Sequence, residues 1–388
     1  MDAEASAIVA VDHTGQMPID LIGPVVDAAD HPLVAEAERV SELLSSDAEQ
    51  VDRDGITRTR LDAVAGAGLV TAGTPIDQGG GGEPAAVVRE IVERIAGACG
   101  TTWFVLTQHR SALDAALTSQ TAPLHALWAR RLSTGEALGA VAFAHLRRSG
   151  PPQVMAERYG NSWRISGSLD WVTGWGVTDV LCLMAQTDDQ QVLEVLIPAR
   201  LRPGLTVTRP LPLVAMGGTR TVGATLESMV VTPDEVAHLV PRERWLRSDQ
   251  NRTVNASPAV FGLLRSTVGA LHEIGQQRGS SLVTDKANAF ADQARELRAS
   301  AYQLIDHVDP ADQHAERIAV RAAALLLAHE SSAAVIASTG GGAMSLASSA
   351  QRRAREALFM LIQAQTVTLR DALFEQWPVA PEVVVSDD

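Results

Sequence analysis

The chain has 388 residues, 46% of them hydrophobic and 20% charged, which is the composition of a globular protein and excludes disordered and fibrous classes. Its length exceeds what a single compact core usually supports, so two or three domains are expected. Acidic residues outnumber basic residues 46 to 32, for a formal net charge of -14. The sequence has no cluster of basic residues of the kind that binds a phosphate backbone, so nucleic acid is not an expected partner.

The first predicted elements are helical. Residues 1–30 are expected to form a flexible N-terminal segment, which starts with acidic residues and lacks the continuous apolar stretch of a signal peptide. From residue 31 to residue 134, apolar residues recur at helical spacing, which predicts an N-terminal helical domain. A turn-rich stretch with four successive glycines, Gly79 to Gly82, interrupts this domain and predicts a surface loop.

The pattern then changes twice. Residues 135–239 contain short β-rich runs separated by Gly, Pro, Asp and Asn, which predicts a middle domain built as an antiparallel β-barrel or sandwich. Residues 240–376 return to helical spacing in four long segments, which predicts a C-terminal four-helix bundle, and residues 377–388 form a tail. The predicted fold is therefore mainly α with a central β domain.

Cysteine usage and hydropathy give expectations about location. The two cysteines, Cys99 and Cys182, are far apart and have neither metal-binding nor disulfide spacing, so we expect no metal site and a reducing, cytoplasmic setting. No apolar run approaches the ~20 residues of a membrane-spanning helix, the longest being pieces such as Ala322 to Ala328, so no membrane partner is expected.

Four short stretches occur in a distinctive order. They are Ala67-Gly68-Leu69 with Pro75 and Gly79 to Gly82; Gly160-Asn161-Ser162-Trp163-Arg164-Ile165-Ser166-Gly167 with Trp171-Val172-Thr173-Gly174; Met216-Gly217-Gly218-Thr219-Arg220 with Val230-Val231-Thr232-Pro233; and Thr339-Gly340-Gly341-Gly342 with Arg352 and Arg355-Glu356. In this order and on these elements, roughly residues 30–376 resemble the acyl-CoA dehydrogenase superfamily. The resemblance implies a flavoprotein oxidoreductase with FAD as cofactor.

The second stretch implies the flavin site. By resemblance, Trp171 would pack near the isoalloxazine ring and Thr173 would hydrogen-bond its N5 edge. An aromatic wall would exclude water, and a fixed hydrogen-bond donor near N5 would tune how readily the ring accepts a hydride. Taken without the resemblance, Trp171 would be a strand core residue and Thr173 a turn residue.

The fourth stretch implies an oligomer. Glycines such as Gly340 and Gly341 permit close backbone approach to a phosphate, although such a run also ends helices. By resemblance, this loop would contact the FAD of a neighbouring subunit in a homodimer, a homotetramer or a hetero-oligomer with a related subunit. Arg278 would lie against the cofactor's diphosphate, for which a guanidinium is suited.

The sequence departs from the family pattern at two points. Where family members carry a flavin-binding threonine, this chain has His145, which could donate to the pyrimidine edge of the flavin or be a buried histidine satisfied by backbone. Where many members carry the glutamate that removes the α-proton of an acyl thioester, this chain has Ala364, which cannot take a proton. The glycine of that turn is also missing, so one helix is expected to run unbroken through Leu369 to Phe374.

The segment from Ser349 to Glu356, followed by an unbroken helix, resembles the flavin-dependent monooxygenase branch of the superfamily. Enzymes of this branch use reduced FMN or FAD supplied by a reductase. His109 is then the candidate proton donor and shuttle near the reacting oxygen. Its alternative is a helix-face histidine hydrogen-bonded to a neighbour.

Three functions remain open from the sequence. The first is oxidation of an acyl thioester or related small substrate by an enzyme whose base is replaced or displaced, or whose flavin site serves a partner subunit. The second is a two-component flavin monooxygenase. The third is a non-redox member, such as a degenerate subunit or a cyclising protein, that keeps the fold.

Overall fold

A computed structural model describes residues 17–378 of the chain, and it confirms the predicted order of a helical, a β and a second helical part. The N-terminal part consists of α1 (Pro32–Ser46), α2 (Ala48–Asp54), α3 (Arg58–Gly66), α4 (Ala85–Ala98), α5 (Gly100–Thr107), α6 (His109–Thr118) and α7 (Ala122–Ser133). The glycine-rich stretch between α3 and α4 forms the expected loop.

One sheet forms the middle of the chain. Its strands are β1 (Gly139–Ala142), β2 (Val154–Tyr159), β3 (Ser162–Val172), β4 (Val180–Gln186), β5 (Gln191–Pro198), β6 (Leu205–Val207), β7 (Val222–Val231) and β8 (Val236–Pro241). They lie in the order β6-β7-β3-β2-β4-β5-β8, and β1 pairs with β4. The β1–β4 and β2–β4 pairs are parallel and the others antiparallel, so the sheet is mixed rather than purely antiparallel as expected.

Strand β4 joins the β domain to the N-terminal helices because both of its faces are buried. Successive side chains of a strand point to opposite faces. Leu181 and Leu183 therefore pack inside the β domain, whereas Cys182 and Met184 pack against a second core that includes side chains of α6 and α7. This double burial holds β1, which pairs with β4, against helix α6.

The C-terminal part is helical as expected, but its described residues form six helices rather than four. It contains α8 (Arg242–Thr253), α9 (Pro258–Gln277), α10 (Ser281–His307), α11 (His314–Thr339), α12 (Ser349–Ile362) and α13 (Val367–Gln376). Helix α9 lies at the centre and packs against α4, α10, α11 and α12, which ties the bundle to the N-terminal part.

Helix α11 also corrects an expectation from hydropathy. The segment His314–Met344 is long and apolar enough, by length and composition, to cross a membrane. More than half of its most apolar window is buried, and α11 packs against α9, α10, α12 and α13. A central bundle helix is apolar around most of its circumference because it is covered on several sides.

The N-terminal segment is packed over its described residues. Ile22 and Val25 are buried in the main core, and the carboxylate of Asp20 accepts hydrogen bonds from the guanidinium of Arg265 on α9. Residues 17–30 therefore pack against the core, in contrast to the flexible segment that was predicted, and Asp20 joins a buried cluster in which Arg265 also pairs with Glu90 and Glu93. Residues 1–16, and residues 379–388 of the predicted tail, lie outside the described residues.

A cross-strand pair in the sheet makes stability depend on pH. His238 on β8 lies opposite Glu194 on β5, with 2.8 Å between Nδ1 and Oε2, and this hydrogen bond raises the pKa of His238. A histidine whose pKa is higher in the folded protein than in the unfolded chain stabilises the fold at pH values below its unfolded pKa of about 6.5. This stabilisation is lost as the pH rises through the folded-state pKa.

His238→Gln should therefore lower the free energy of unfolding at about pH 5.5 by at most about 1 kcal/mol, and by less at about pH 8.5. Urea unfolding at the two pH values measures this difference. His125→Gln, at an exposed position, is the matched control. An equal loss at both pH values would contradict a role for the charged pair.

Candidate active site

A cavity of about 550 Å³ opens where the three parts of the chain meet. Ligand sites commonly enclose about 300–1,000 Å³. The walls come from α5 and α6, the ends of β1 and β3, the loop before β7, and the end of α12. The lining residues are Phe104, Thr107, Gln108, Ser111, Val141, Phe143, Ala144, Arg147, Trp171, Thr173, Leu213, Val214, Ala215, Met216, Thr219, Thr221, Leu358, Phe359, Ile362, Gln363 and Ala364.

Aromatic side chains form much of the wall. Phe104 on α5 and Phe359 on α12 meet edge to face with ring centroids 4.5 Å apart. Phe143 follows β1, and Trp171 near the end of β3 remains 48% exposed although it lines the cavity. An exposed tryptophan on a cavity wall offers a flat face to a ligand. The lining therefore suits a planar, largely apolar ring system such as an isoalloxazine.

Three threonines form a chain of hydroxyl groups on one side of this cavity. Thr173 Oγ1 lies 3.1 Å from Thr221 Oγ1, which lies 2.8 Å from Thr219 Oγ1. Thr219 in turn donates to the backbone oxygen of Met216 at 2.7 Å. All three threonines are buried and line the cavity. Trp171 and Thr173, singled out from the sequence, thus share the cavity with two threonines that sequence reasoning missed.

The loop that carries Thr219 has an unusual backbone. Met216 and Arg220 flank the short 3-10 helix Gly217–Thr219, and both have left-handed φ angles, of 58° and 52°. A Cβ on Gly218 would lie 2.0 Å from the backbone oxygen of Val51, so glycine alone fits this close approach. Arg220 Nε donates to the backbone oxygen of Ile56, which fixes the loop on the N-terminal helices.

Ala364 also lines the cavity, where the resemblance places a glutamate, and it lies in a helix break. The expected unbroken helix through Leu369 to Phe374 is wrong: α12 ends at Ile362, α13 begins at Val367, and Ala364 has a left-handed φ of 48°. Thr366 caps α13 by accepting from the backbone N–H of Leu369. This N-cap threonine was the signal in the sequence that could have revealed the break.

Arg321 of α11 holds the break in place. Its guanidinium donates to the backbone oxygen of Gln363 at 2.7 Å and to that of Thr253. No carboxylate forms a salt bridge to Arg321 within the described residues, and burial lowers its pKa to about 10. The residue is thus a positioning group for the cavity wall at residues 363 and 364.

Arg147 is the charged side chain of the lining. It lies at the end of the 3-10 helix Ala144–Arg147 and forms two hydrogen bonds to the carboxylate of Asp249, of 2.7 and 2.8 Å. Because both carboxylate oxygens are engaged, the guanidinium is fixed and largely neutralised at the cavity. No local sequence pattern indicates this pairing, which joins residues 102 positions apart.

The two candidate histidines lie outside the cavity lining. His109 is buried, its Nε2 donates to the backbone oxygen of Leu132, and its Nδ1 accepts from the N–H of Gly139. Burial lowers its pKa to about 4, so the ring is neutral near pH 7. This placement favours the structural alternative for His109 over a proton shuttle.

His145 lies one residue after Ala144, behind the cavity wall. It is buried, and burial is the main cause that lowers its pKa to about 4. Its Nε2 has no hydrogen-bond partner within the described residues. The flavin contact inferred for His145 stays a prediction, since the cavity lining does not include this side chain.

Arg278, Gly340 and Gly341 meet at a different place. Arg278 is the C-cap residue of α9 and donates to the backbone oxygen of Thr339, directly before the glycine run. A Cβ on Gly340 or Gly341 would meet open space. These residues do not line the cavity, so a cofactor that contacts them would have to be bound outside this cavity or extend beyond it.

The helical, β and helical parts around this cavity define the class of protein: the chain has the acyl-CoA dehydrogenase fold. A protein of Mycobacterium smegmatis described as an acyl-CoA dehydrogenase matches with a TM-score of 0.76 at 18% identity, over 88% of this chain and 96% of that chain. Butyryl-CoA dehydrogenase from Megasphaera elsdenii matches with a TM-score of 0.71 at 16% identity, over 88% and 95%.

A monooxygenase has the same fold. Dibenzothiophene monooxygenase, TdsC, from Paenibacillus sp. A11-2 matches with a TM-score of 0.71 at 19% identity, over 89% of this chain and 96% of that chain. TdsC has also been solved in complex with FMN and indole. No protein-family model and no curated protein sequence matches the chain. At these identities the likeness establishes the fold, and it does not choose between the two activities.

Proposed function

We propose that this chain is a flavin-dependent monooxygenase that oxygenates a small, largely apolar substrate in the cavity, with FMN or FAD delivered in reduced form by a separate reductase. The observation that carries this proposal is the chemistry of the lining. Among the residues that the structure describes, none that lines the cavity is Asp, Glu, His, Cys or Lys. The charged Arg147 is already bound by Asp249.

A cavity of this kind lacks the main requirement of an acyl-CoA dehydrogenase. That reaction removes an α-proton with a carboxylate while a hydride leaves from the β-carbon. Ala364 stands on the wall where the resemblance places the carboxylate, and the neighbouring amide of Gln363 is not a base. Among the lining side chains that the structure describes, dehydrogenation therefore has no proton acceptor, whereas oxygenation does not require one.

The side chains of the cavity have roles that fit oxygenation. Bound reduced flavin supplies two electrons: one atom of O2 enters the substrate, the other leaves as water, and the flavin is left oxidised. Phe104, Phe143 and Phe359 would bind an apolar substrate and exclude water from the reacting atoms. Trp171 and Thr173 would hold the ring of the cofactor. The fold and the indole complex of TdsC support a planar aromatic substrate.

The corner formed by Arg278 and Gly340 fits a contact with a cofactor held mainly by a second copy of the chain. Both lie away from the cavity lining, and the space above the glycines is open. The proposal therefore includes a homo-oligomer in which this corner approaches the phosphates of a neighbouring flavin.

The direct test is a coupled reaction. The purified protein is supplied with FMN or FAD, a flavin reductase, NADH and oxygen-18 gas, with indole as the first substrate and catalase to remove free peroxide. We expect an indole product that carries one labelled oxygen and depends on this protein. Anaerobic bleaching of bound flavin by an acyl-CoA, with no labelled product, would instead identify a dehydrogenase. Absence of flavin binding would favour the non-redox alternative.

A further inference from the structure

The hydroxyl chain on the cavity wall has a fixed direction. A backbone oxygen only accepts hydrogen bonds, so the single proton of Thr219 Oγ1 points at Met216, 2.7 Å away. The reverse orientation would leave two oxygens facing each other with lone pairs at that distance. Because the hydroxyl proton of Thr219 is already donated to Met216, Thr221 donates to Thr219 across 2.8 Å.

The same reasoning applies to the next link. Thr221 has one hydroxyl proton, and it is used towards Thr219, so Thr173 donates to Thr221 across 3.1 Å. Thr173 Oγ1 is then left with lone pairs for whatever occupies the cavity. The wall at this point offers a hydrogen-bond acceptor and not the donor that the sequence resemblance suggested.

An acceptor discriminates between the two redox forms of a flavin. Oxidised isoalloxazine carries a lone pair on N5, whereas the reduced ring carries an N5–H. A hydroxyl oxygen whose proton points away gains a hydrogen bond from the reduced ring and faces a lone pair on the oxidised ring. The sequence resemblance assigns Thr173 to the N5 edge.

We propose that the chain Thr173–Thr221–Thr219 makes the cavity selective for reduced over oxidised flavin. This inference rests on the proposed function, and it explains how a protein that receives reduced flavin from a reductase would also release the oxidised form after turnover. Selectivity comes from the direction of three hydroxyl protons, which is set by the carbonyl of Met216 at the far end.

The test compares dissociation constants for oxidised and chemically reduced FMN, the latter under anaerobic conditions. The wild type should bind the reduced form more tightly. In Thr221→Val the Thr173 proton loses its acceptor and turns to the cavity, so the ratio of the two constants should fall about tenfold. A tenfold change in that ratio corresponds to a shift of about 30 mV in the potential of the bound two-electron couple.

Thr178→Val is the matched control, because it removes a buried hydroxyl that donates to the backbone oxygen of Gly174 outside the cavity lining. It should keep the wild-type ratio. Thr219→Val, which cuts the chain one link further away, should also reduce the ratio. An unchanged ratio in both Thr221→Val and Thr219→Val, or a wild type that prefers the oxidised form, overturns the inference and leaves the proposed function standing. Binding of neither form overturns both.

Discussion

Replacing Arg352 by methionine should lower the free energy of unfolding by about 3–5 kcal/mol. Arg352 on α12 is 1% exposed and donates to both carboxylate oxygens of Glu356, at 2.7 and 2.9 Å, and to Glu49 on α2 at 2.9 Å. Burial raises the pKa of Glu356, so this carboxylate depends on the guanidinium to stay charged in the core. Methionine fills similar space but leaves Glu356 buried without a counter-charge.

Urea unfolding near neutral pH measures the loss. Arg247→Met is the matched control, since Arg247 pairs with Glu243 on an exposed helix face, where an ion pair contributes at most about 1 kcal/mol. The loss in Arg352→Met should shrink as pH falls, because protonation removes the uncompensated charge of Glu356. A loss as small as that of the control would show that the ion pairs of Arg352 do not hold α12 against α2.

Ala364→Glu should give the flavin-loaded protein an acyl-CoA dehydrogenation rate at least about 100-fold above that of the wild type, because a positioned general base contributes about 10²–10⁴-fold. Ala364 lines the cavity, and its backbone already adopts the left-handed turn conformation in a helix break. Anaerobic bleaching of the flavin by a panel of acyl-CoA thioesters measures the rate. In the wild type no described residue of the lining can accept the α-proton, so bleaching should be negligible.

Ala364→Gln is the control for this experiment, because glutamine has the same length and cannot accept the proton. Equal rates for the Glu and Gln variants in folded, flavin-loaded protein would show that residue 364 is not the base position. Rapid bleaching in the wild type would show that a base reaches the substrate from elsewhere and would count against the proposed monooxygenase.

The order of domains was predictable because helices and strands impose different spacings on long segments. The helical periodicity of residues 31–134 and 240–376 can be recognised without knowledge of the tertiary contacts. The same is true of the short β-rich runs between these two segments. The parallel β1–β4 pair was not predictable, since it joins strands about 40 residues apart. The packing of the N-terminal segment was hidden for the same reason: Asp20 and Arg265 are 245 positions apart.

The residues of the candidate site divide in the same way, into those that local motifs indicate and those that only the tertiary structure brings together. Trp171, Thr173 and Ala364 were identified from local motifs, and they meet at one cavity. Thr219 lies in a stretch that carries the family resemblance, but its place on the cavity wall and that of Thr221 come from a loop folded back onto the end of β3. His109 was chosen for its chemistry alone, and burial between α6, α7 and β1 gives both of its ring nitrogens backbone partners.

The most direct measurement is an anaerobic titration of the wild type and an Ala215→Trp variant with reduced FMN and FAD. Ala215 is buried on the cavity wall, so a tryptophan side chain there would fill the space in which the isoalloxazine ring is proposed to bind. We predict saturable binding of one flavin per wild-type chain and at least about a 100-fold weaker affinity in the variant, with unchanged thermal unfolding. Equal affinity in both proteins, or no binding by the wild type, would contradict the assignment of this cavity to a flavin.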